Sequence, residues 1–162
     1  MIELVILLLT SYITGSFPTS IVMTRAIKNI DIREHGSGNA GATNVFRVLG
    51  WKYAIFVLVF DIFKGWLPTA VYATIIFQQL PIPDQGLVQI LCGFAAVTGH
   101  IFPIFTGFKG GKGVGSLIGV LLALYPLVFP LCLLIGVAVI TTTGYVSLGS
   151  ISAAISLPII IL

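Results

Sequence analysis

Residues 4–23, "LVILLLTSYITGSFPTSIVM", form a stretch without a single charged side chain. A helix that crosses the hydrocarbon core of a bilayer needs roughly 20 predominantly apolar residues, so this stretch reads as a membrane span. It does not read as a cleaved leader, because no basic segment precedes it and no small-x-small cleavage site follows it. The rest of the chain agrees: its 162 residues are 57% hydrophobic and only 8% charged. Soluble domains carry about a quarter charged residues, so a soluble enzyme or scaffold is excluded.

A chain of this length holds about five to seven spans and leaves no room for a separate soluble domain. After the first, candidate spans cover residues 53–77 and 87–105, a pair within 114–146, and one from 150 to the apolar end. The expected architecture is an all-α polytopic membrane bundle of about six spans, with residues 1–162 as one domain. Pro126 or Pro130 marks a turn between the paired spans, since proline ends helices; one long kinked helix is the alternative. Cys92 and Cys132 stand alone in apolar runs and read as packing or lipid-facing residues. No His, Cys or carboxylate cluster has metal-ligand spacing, so no metal is expected.

Cations arbitrate the topology, because short cytoplasmic loops collect Lys and Arg. Arg25, Lys28, Arg33, Arg47 and Lys52 fall between the first two spans, and Lys109 and Lys112 follow the third. Both loops are expected in the cytoplasm and the N-terminus outside. Two polar, glycine-rich stretches then share one membrane face. Irregular backbone at membrane depth is tolerated only where protein buries it or water reaches it, so these stretches are expected to fold over a pocket.

The first of them is "HGSGNAGATNVFRVLG", residues 35–50. Its glycines permit close backbone approach, and Ser37, Asn39, Thr43 and Asn44 offer short polar groups. Thr43 or Asn44 is expected to cap a helix beginning near Val45, with Arg47 on its first turn, placed to fork onto phosphate or carboxylate oxygens. Gly38, Gly41 and Asn39 are candidates to stabilise a developing oxyanion.

The second is "GHIFPIFTGFKGGKGVGS", residues 99–116. Lys109, Gly110, Gly111, Lys112 and Gly113 resemble a phosphate loop in physics, with exposed amides and two lysines. The stretch is not a Walker A motif, since Gly113 stands where Ser or Thr would follow the lysine, which argues against a nucleotide triphosphatase. His100 is placed to bind phosphate or move a proton, and Pro103 should end its helix. Asp61 and Lys64 share one helical face inside a span, as an ion pair or with Lys64 in the wall of an anion pocket. The glycines at 111, 115 and 119 form a close-packing face.

These two stretches, together with "DIFKG" at 61–65, resemble the membrane-embedded acyl-phosphate:glycerol-3-phosphate acyltransferases of bacteria, the PlsY family. The resemblance runs over nearly the whole chain. It implies acyl transfer from an acyl phosphate to the 1-hydroxyl of glycerol 3-phosphate, giving lysophosphatidate and phosphate, the first committed step toward phosphatidate. It implies an essential serine and arginine at Ser37 and Arg47, and glycerol 3-phosphate binding at His100 and residues 109–113. It also implies seven spans and a last short cytoplasmic motif with a histidine and an asparagine, whereas this sequence stops at "SLPIIIL".

An acyl phosphate is already activated, so direct attack by the glycerol hydroxyl is expected, with His100 or a substrate phosphate taking the proton and no acyl-enzyme. No cofactor and no nucleic-acid partner are expected. The expected setting is a monomer among the lipids of a bacterial plasma membrane. A small anion or phosphate transporter is the alternative, with Asp61 and Lys64 as a midplane site. Against it, the chain shows no internal repeat and its polar residues gather at one face.

Overall fold

A computed structural model describes residues 1–162, and the side chains of all but Val146, Ser147 and Ser150. Among the described residues it is helical, with no strand. In chain order the helices are α1 (Ile2–Ser16), α2 (Thr19–Lys28), α3 (Ala42–Leu49), α4 (Trp51–Leu67), α5 (Ala73–Phe77), α6 (Gln85–Ile101), α7 (Val114–Leu124), α8 (Val128–Thr143) and α9 (Val146–Ile161). Short 3₁₀ turns cover Ile32–Glu34 and Ile104–Thr106, and a π-helical turn covers Pro68–Tyr72.

Three stretches among the described residues are long and apolar enough to cross a bilayer: Ile2–Lys28, Trp51–Phe77 and Gln85–Thr106. They correspond to the first three expected spans. The first differs in detail, because it runs on to Lys28 and breaks at Phe17 and Pro18. Pro18 has no N–H to donate, and the residue before a proline is driven to extended backbone, here φ −60° and ψ 118° at Phe17. Pro68 produces no such break. Its missing hydrogen bond is absorbed by the π-helical turn, and the Thr69 hydroxyl donates to the Gly65 carbonyl at 2.8 Å. Pro103 ends α6 as the sequence suggests.

The later expected spans are shorter: α7 has 11 residues, and α8 and α9 have 16 each. At about 1.5 Å per residue each falls short of the roughly 30 Å hydrocarbon core. The interruption between α7 and α8 is at Pro126, while Pro130 is accommodated in the first turn of α8.

The chain forms two compact units, Met1–Val120 and Leu121–Leu162. In the first, α1 packs along α6, and α3 packs on α4. One core cluster, including Ile21, Ile32, Val45 and Val57, lies under the first glycine-rich stretch. A second joins Leu7, Ala73, Val88 and the buried Cys92. The close contacts depend on glycine: a Cβ at Gly15 would meet the Ala96 backbone, and one at Gly119 would meet the Ile62 carbonyl. In the second unit α8 packs on α9, with Gly136 against Gly149 and Ala153 and with Cys132 buried. Both cysteines are therefore packing residues.

Candidate active site

The segment from His35 to Gly41 has little apolar content to hold it, and Asn44 supplies the missing order. Its side chain is 1% exposed. Its Nδ2 donates to the carbonyls of Ile32, His35 and Asn39 at 3.1, 2.9 and 3.0 Å, and its Oδ1 accepts the Ser37 N–H at 2.8 Å. Gly36 has φ +61°, and a Cβ there would run into Asn44 Oδ1, so this position needs glycine.

This arrangement corrects three expectations. The helix begins at Ala42, with Gly41 as its N-cap and no side-chain cap from Thr43 or Asn44. Arg47 consequently sits on the last turn of α3 rather than the first. Asn44, expected among the phosphate ligands, spends its polar atoms on the loop.

The second glycine-rich stretch is also tied down. The N–H groups of Gly110 and Gly111 donate to the carbonyls of Ile101 and His100 at 3.1 and 3.2 Å, and that of Phe108 to Pro103 at 3.0 Å. The expected set of free amides is therefore largely spent on the end of α6. Arg33 stitches the two stretches together: it donates to the Thr106 carbonyl at 2.9 Å while its guanidinium pairs with Asp31 at 2.7 Å. The Arg33 hydrogen bonds hold the Asp31 carboxyl well below the usual carboxylate range, and Asp31 in turn raises the Arg33 guanidinium.

Between the stretches lies a cavity of about 270 Å³. Its walls include Ser37, Asn39, Gly41, Thr43, Asn44 and Arg47 from the first stretch, His100 and Lys112 from the second, and Leu58 and Asp61 from α4. Ligand pockets run about 300–1,000 Å³, so this one suits a small molecule. Neither Arg47 nor Lys112 has an ion-pair partner among the described residues. The N-terminal residues of two helices, Ala42 and Thr43 of α3 and Val114 and Gly115 of α7, also line it. The first amides of a helix lack intrahelical partners and carry partial positive charge, so cations and helix ends together favour an anion here. A larger hollow of about 650 Å³ runs along α1 past Ile6, Ile13 and Ile75; its walls are mostly apolar and carry no cation.

Other candidates fall elsewhere. Gly38, Lys109 and Gly110 line a separate surface cavity of about 570 Å³ with Asp31, Arg33 and Glu34. Only Lys112 of the two loop lysines therefore reaches the first cavity. Gly38 is also no free amide donor, since its N–H is taken by His35 at 3.1 Å. Gly113 packs on Val97 and Ile101.

Lys64 is buried with Asp61 at 2.9 Å and also donates to the Phe17 carbonyl at 2.9 Å. It lines a small void with Thr19, Gly111 and His100, not the anion cavity. His100, 5% exposed, reaches both. Its Nδ1 is 3.2 Å from Ser116 Oγ and 3.8 Å from Asp61 Oδ1. A Cβ on Gly111 would run into its Nε2, so the Gly111 backbone packs directly against that nitrogen and the position needs glycine.

Sequence reading missed the contact of Ser116 with His100 and the tie that Arg33 makes to the Thr106 carbonyl. The helical spacing of "DIFKG" flagged Asp61 as a partner for Lys64, but not its place beside His100.

The family model described as glycerol-3-phosphate acyltransferase matches residues 5–162. The glycerol-3-phosphate acyltransferase of Chlorobaculum parvum is 45% identical over 166 residues, spanning 99% of this chain and 71% of the relative. That of Chlorobium luteolum is 46% identical over 168 residues, spanning 99% and 70%. Among solved structures, PlsY (YgiH), an integral membrane glycerol 3-phosphate acyltransferase, matches in its glycerol 3-phosphate form. The TM-score is 0.77 at 40% identity, over 94% of this chain and 73% of that one. Its lysophosphatidic acid form matches with TM-score 0.74 at 39% identity, over 94% and 72%. With its long apolar helices, this is a multi-pass membrane protein. The chain belongs to the glycerol-3-phosphate acyltransferase family.

Proposed function

We propose that this protein transfers an acyl group from an acyl phosphate to the 1-hydroxyl of glycerol 3-phosphate, releasing lysophosphatidate and inorganic phosphate. The reaction takes place at the cytoplasmic face of a bacterial plasma membrane, the side that the loop cations favour. The observation that carries this reading is a pair of cations, Arg47 and Lys112, without an ion-pair partner among the described residues, on one small cavity onto which two helix N-termini open. Both substrates are phosphates, and a guanidinium can hold phosphate oxygens in a two-pronged fork.

In the proposed reaction the substrate hydroxyl oxygen attacks the acyl carbonyl carbon, and phosphate leaves with the electron pair of the broken C–O bond. The hydroxyl proton passes to the departing phosphate or to His100. Asn39 offers a side-chain amide, and Ser37 a hydroxyl, to the oxyanion that forms on the carbonyl oxygen. Because the donor is activated, no cofactor and no acyl-enzyme are required, and the protein acts as a monomer. The transporter reading loses support, since Asp61 and Lys64 are engaged with each other and with the Phe17 carbonyl.

The test is phosphate release by the purified chain in detergent or lipid cubic phase, supplied with palmitoyl phosphate, with and without glycerol 3-phosphate. Release that requires glycerol 3-phosphate and is lost in Arg47→Ala supports the reading. Release that ignores glycerol 3-phosphate, or no release, opposes it.

A further inference from the structure

Among the described residues, Thr19 Oγ1 is the single buried side-chain oxygen or nitrogen without a hydrogen-bond partner. The cause lies in the break between α1 and α2. A threonine inside a helix can donate to the carbonyl four residues back, as Thr14, Thr24, Thr69 and Thr98 do at 2.8–3.0 Å. Thr19 opens α2 directly after Pro18, so no helical turn lies behind it, and α2 has no side-chain cap. Its side chain is nevertheless buried, with the residue 5% exposed. A buried hydroxyl without a partner is costly, most of all in a membrane segment, where bulk water cannot reach it.

Lys64 has a matching surplus. An ammonium group carries three N–H donors. One meets Asp61 at 2.9 Å and one the Phe17 carbonyl at 2.9 Å, and the third has no acceptor among the described residues. Thr19 and Lys64 line the same void, together with Asp61, Ala40 and Gly111. The void measures about 10 Å³, the room that one water molecule needs.

We propose that this void is a binding site for a single water molecule, held by the Thr19 hydroxyl and the Lys64 ammonium. The water accepts the third Lys64 N–H and donates to Thr19 Oγ1. Its second hydrogen is left for the Ala40 carbonyl, which takes the Ser20 hydroxyl at 2.9 Å and keeps a second lone pair. Other occupants fit less well. Phosphate is too large, the Lys64 ammonium repels a metal cation, and the Asp61 carboxylate repels a small anion. The water closes a circuit across the break in the first span: Lys64 holds the carbonyl before Pro18, and through the water it also holds the hydroxyl after it. Ala40 adds the first glycine-rich stretch to the same anchor. The site is separate from the anion cavity and independent of the reaction proposed there, although Asp61 and His100 border both.

The deciding experiment is a crystal structure of the purified full chain in lipid cubic phase at about 1.8 Å resolution or better. It should show one density peak within about 3.2 Å of both Thr19 Oγ1 and Lys64 Nζ. A void clear of density, or a peak that touches neither atom, overturns the proposal. Thr19→Val keeps the shape and removes the hydroxyl, so in its crystal structure the peak should vanish; a peak that persists unmoved overturns the proposal as well.

A double-mutant cycle tests the same link in solution. Thr19→Val should lower the melting temperature by about 2–4 °C. In a background of Asp61→Asn with Lys64→Met, which removes both charges together, the same substitution should cost less than half as much. Thr19 and Lys64 share no direct hydrogen bond, so coupling between them runs through the water. Equal losses in the two backgrounds contradict the bridge, and if the paired variant does not fold, the two crystal structures decide alone.

Discussion

Asn44 Oδ1 accepts the Ser37 N–H at 2.8 Å, so a buried amide on α3 fixes the one serine that faces the anion cavity. Three further bonds from its Nδ2 hold the carbonyls of Ile32, His35 and Asn39. Asn44→Asp keeps the shape and the bond to Ser37 but deletes the donors, leaving carbonyls facing a carboxylate. Unmaking buried hydrogen bonds costs about 1–3 kcal/mol for each group left unpaired. The variant should lose several degrees of thermal stability and most of its turnover. A variant with unchanged melting behaviour would show that the loop is held by other means.

Arg47 and Lys112 differ from Asn44 in having no ion-pair partner among the described residues. Arg47→Ala and Lys112→Ala should leave thermal stability nearly unchanged, because surface charges contribute little to it. Each should weaken the handling of phosphate substrates by about 10- to 100-fold in kcat/KM, the value of a charge-assisted hydrogen bond. Lys109→Ala, on the separate cavity with Arg33 and Glu34, is the contrast and should alter kcat/KM far less. Steady-state kinetics on the three variants checks the ordering, and equal losses at Lys109 and Lys112 would contradict it.

Gly119 is packed where a methyl group would enter the Ile62 carbonyl. Gly119→Ala must push α7 off α4 and should cost about 1–3 kcal/mol, the usual range for overpacking. Because α7 carries Ser116 and the residues after Lys112, turnover should fall with stability. Thermal unfolding and phosphate release measured on the same preparation test this link.

Asp31 sets the acid limit of the loop assembly. Its carboxyl is held low by hydrogen bonds from Arg33, so its stabilisation is whole above the ordinary carboxylate range, near pH 4, and is lost as pH falls further. Asp31→Asn should therefore be less stable than the unsubstituted chain at pH 7, with the difference shrinking as the pH drops below about 4. Melting temperatures across that range decide it, and a gap that widens in acid would give the wrong sign.

Much of the fold was legible because membrane spans and helical spacing are written in composition. The apolar runs located α1, α4 and α6, and of the two readings the i, i+3 spacing of Asp61 and Lys64 allowed, the ion pair is the one formed. The prolines were less legible. Pro18 breaks a helix, Pro68 is absorbed as a π-helical turn, and Pro130 sits in a first turn, according to which neighbours can take the freed carbonyls.

The site was legible in its residues more than in its geometry. Asn44 looks like a helix cap because its side chain suits one, yet four backbone groups of the loop compete for it and win. Lys109 and Lys112 look equivalent in a glycine-rich run. The anchoring of Gly110 and Gly111 to the end of α6 sends the two lysines to different cavities. The contact of Ser116 with His100 joins the two ends of one glycine-rich stretch and follows no helical or strand spacing that could be read in advance.

The most direct measurement supplies the purified chain with palmitoyl phosphate and glycerol 3-phosphate labelled with ¹⁸O at the 1-hydroxyl, and follows the products by mass spectrometry. The account predicts a lysophosphatidate that retains the label in its ester and a released phosphate that carries none. Label appearing in the released phosphate, or no lysophosphatidate at all, would contradict it.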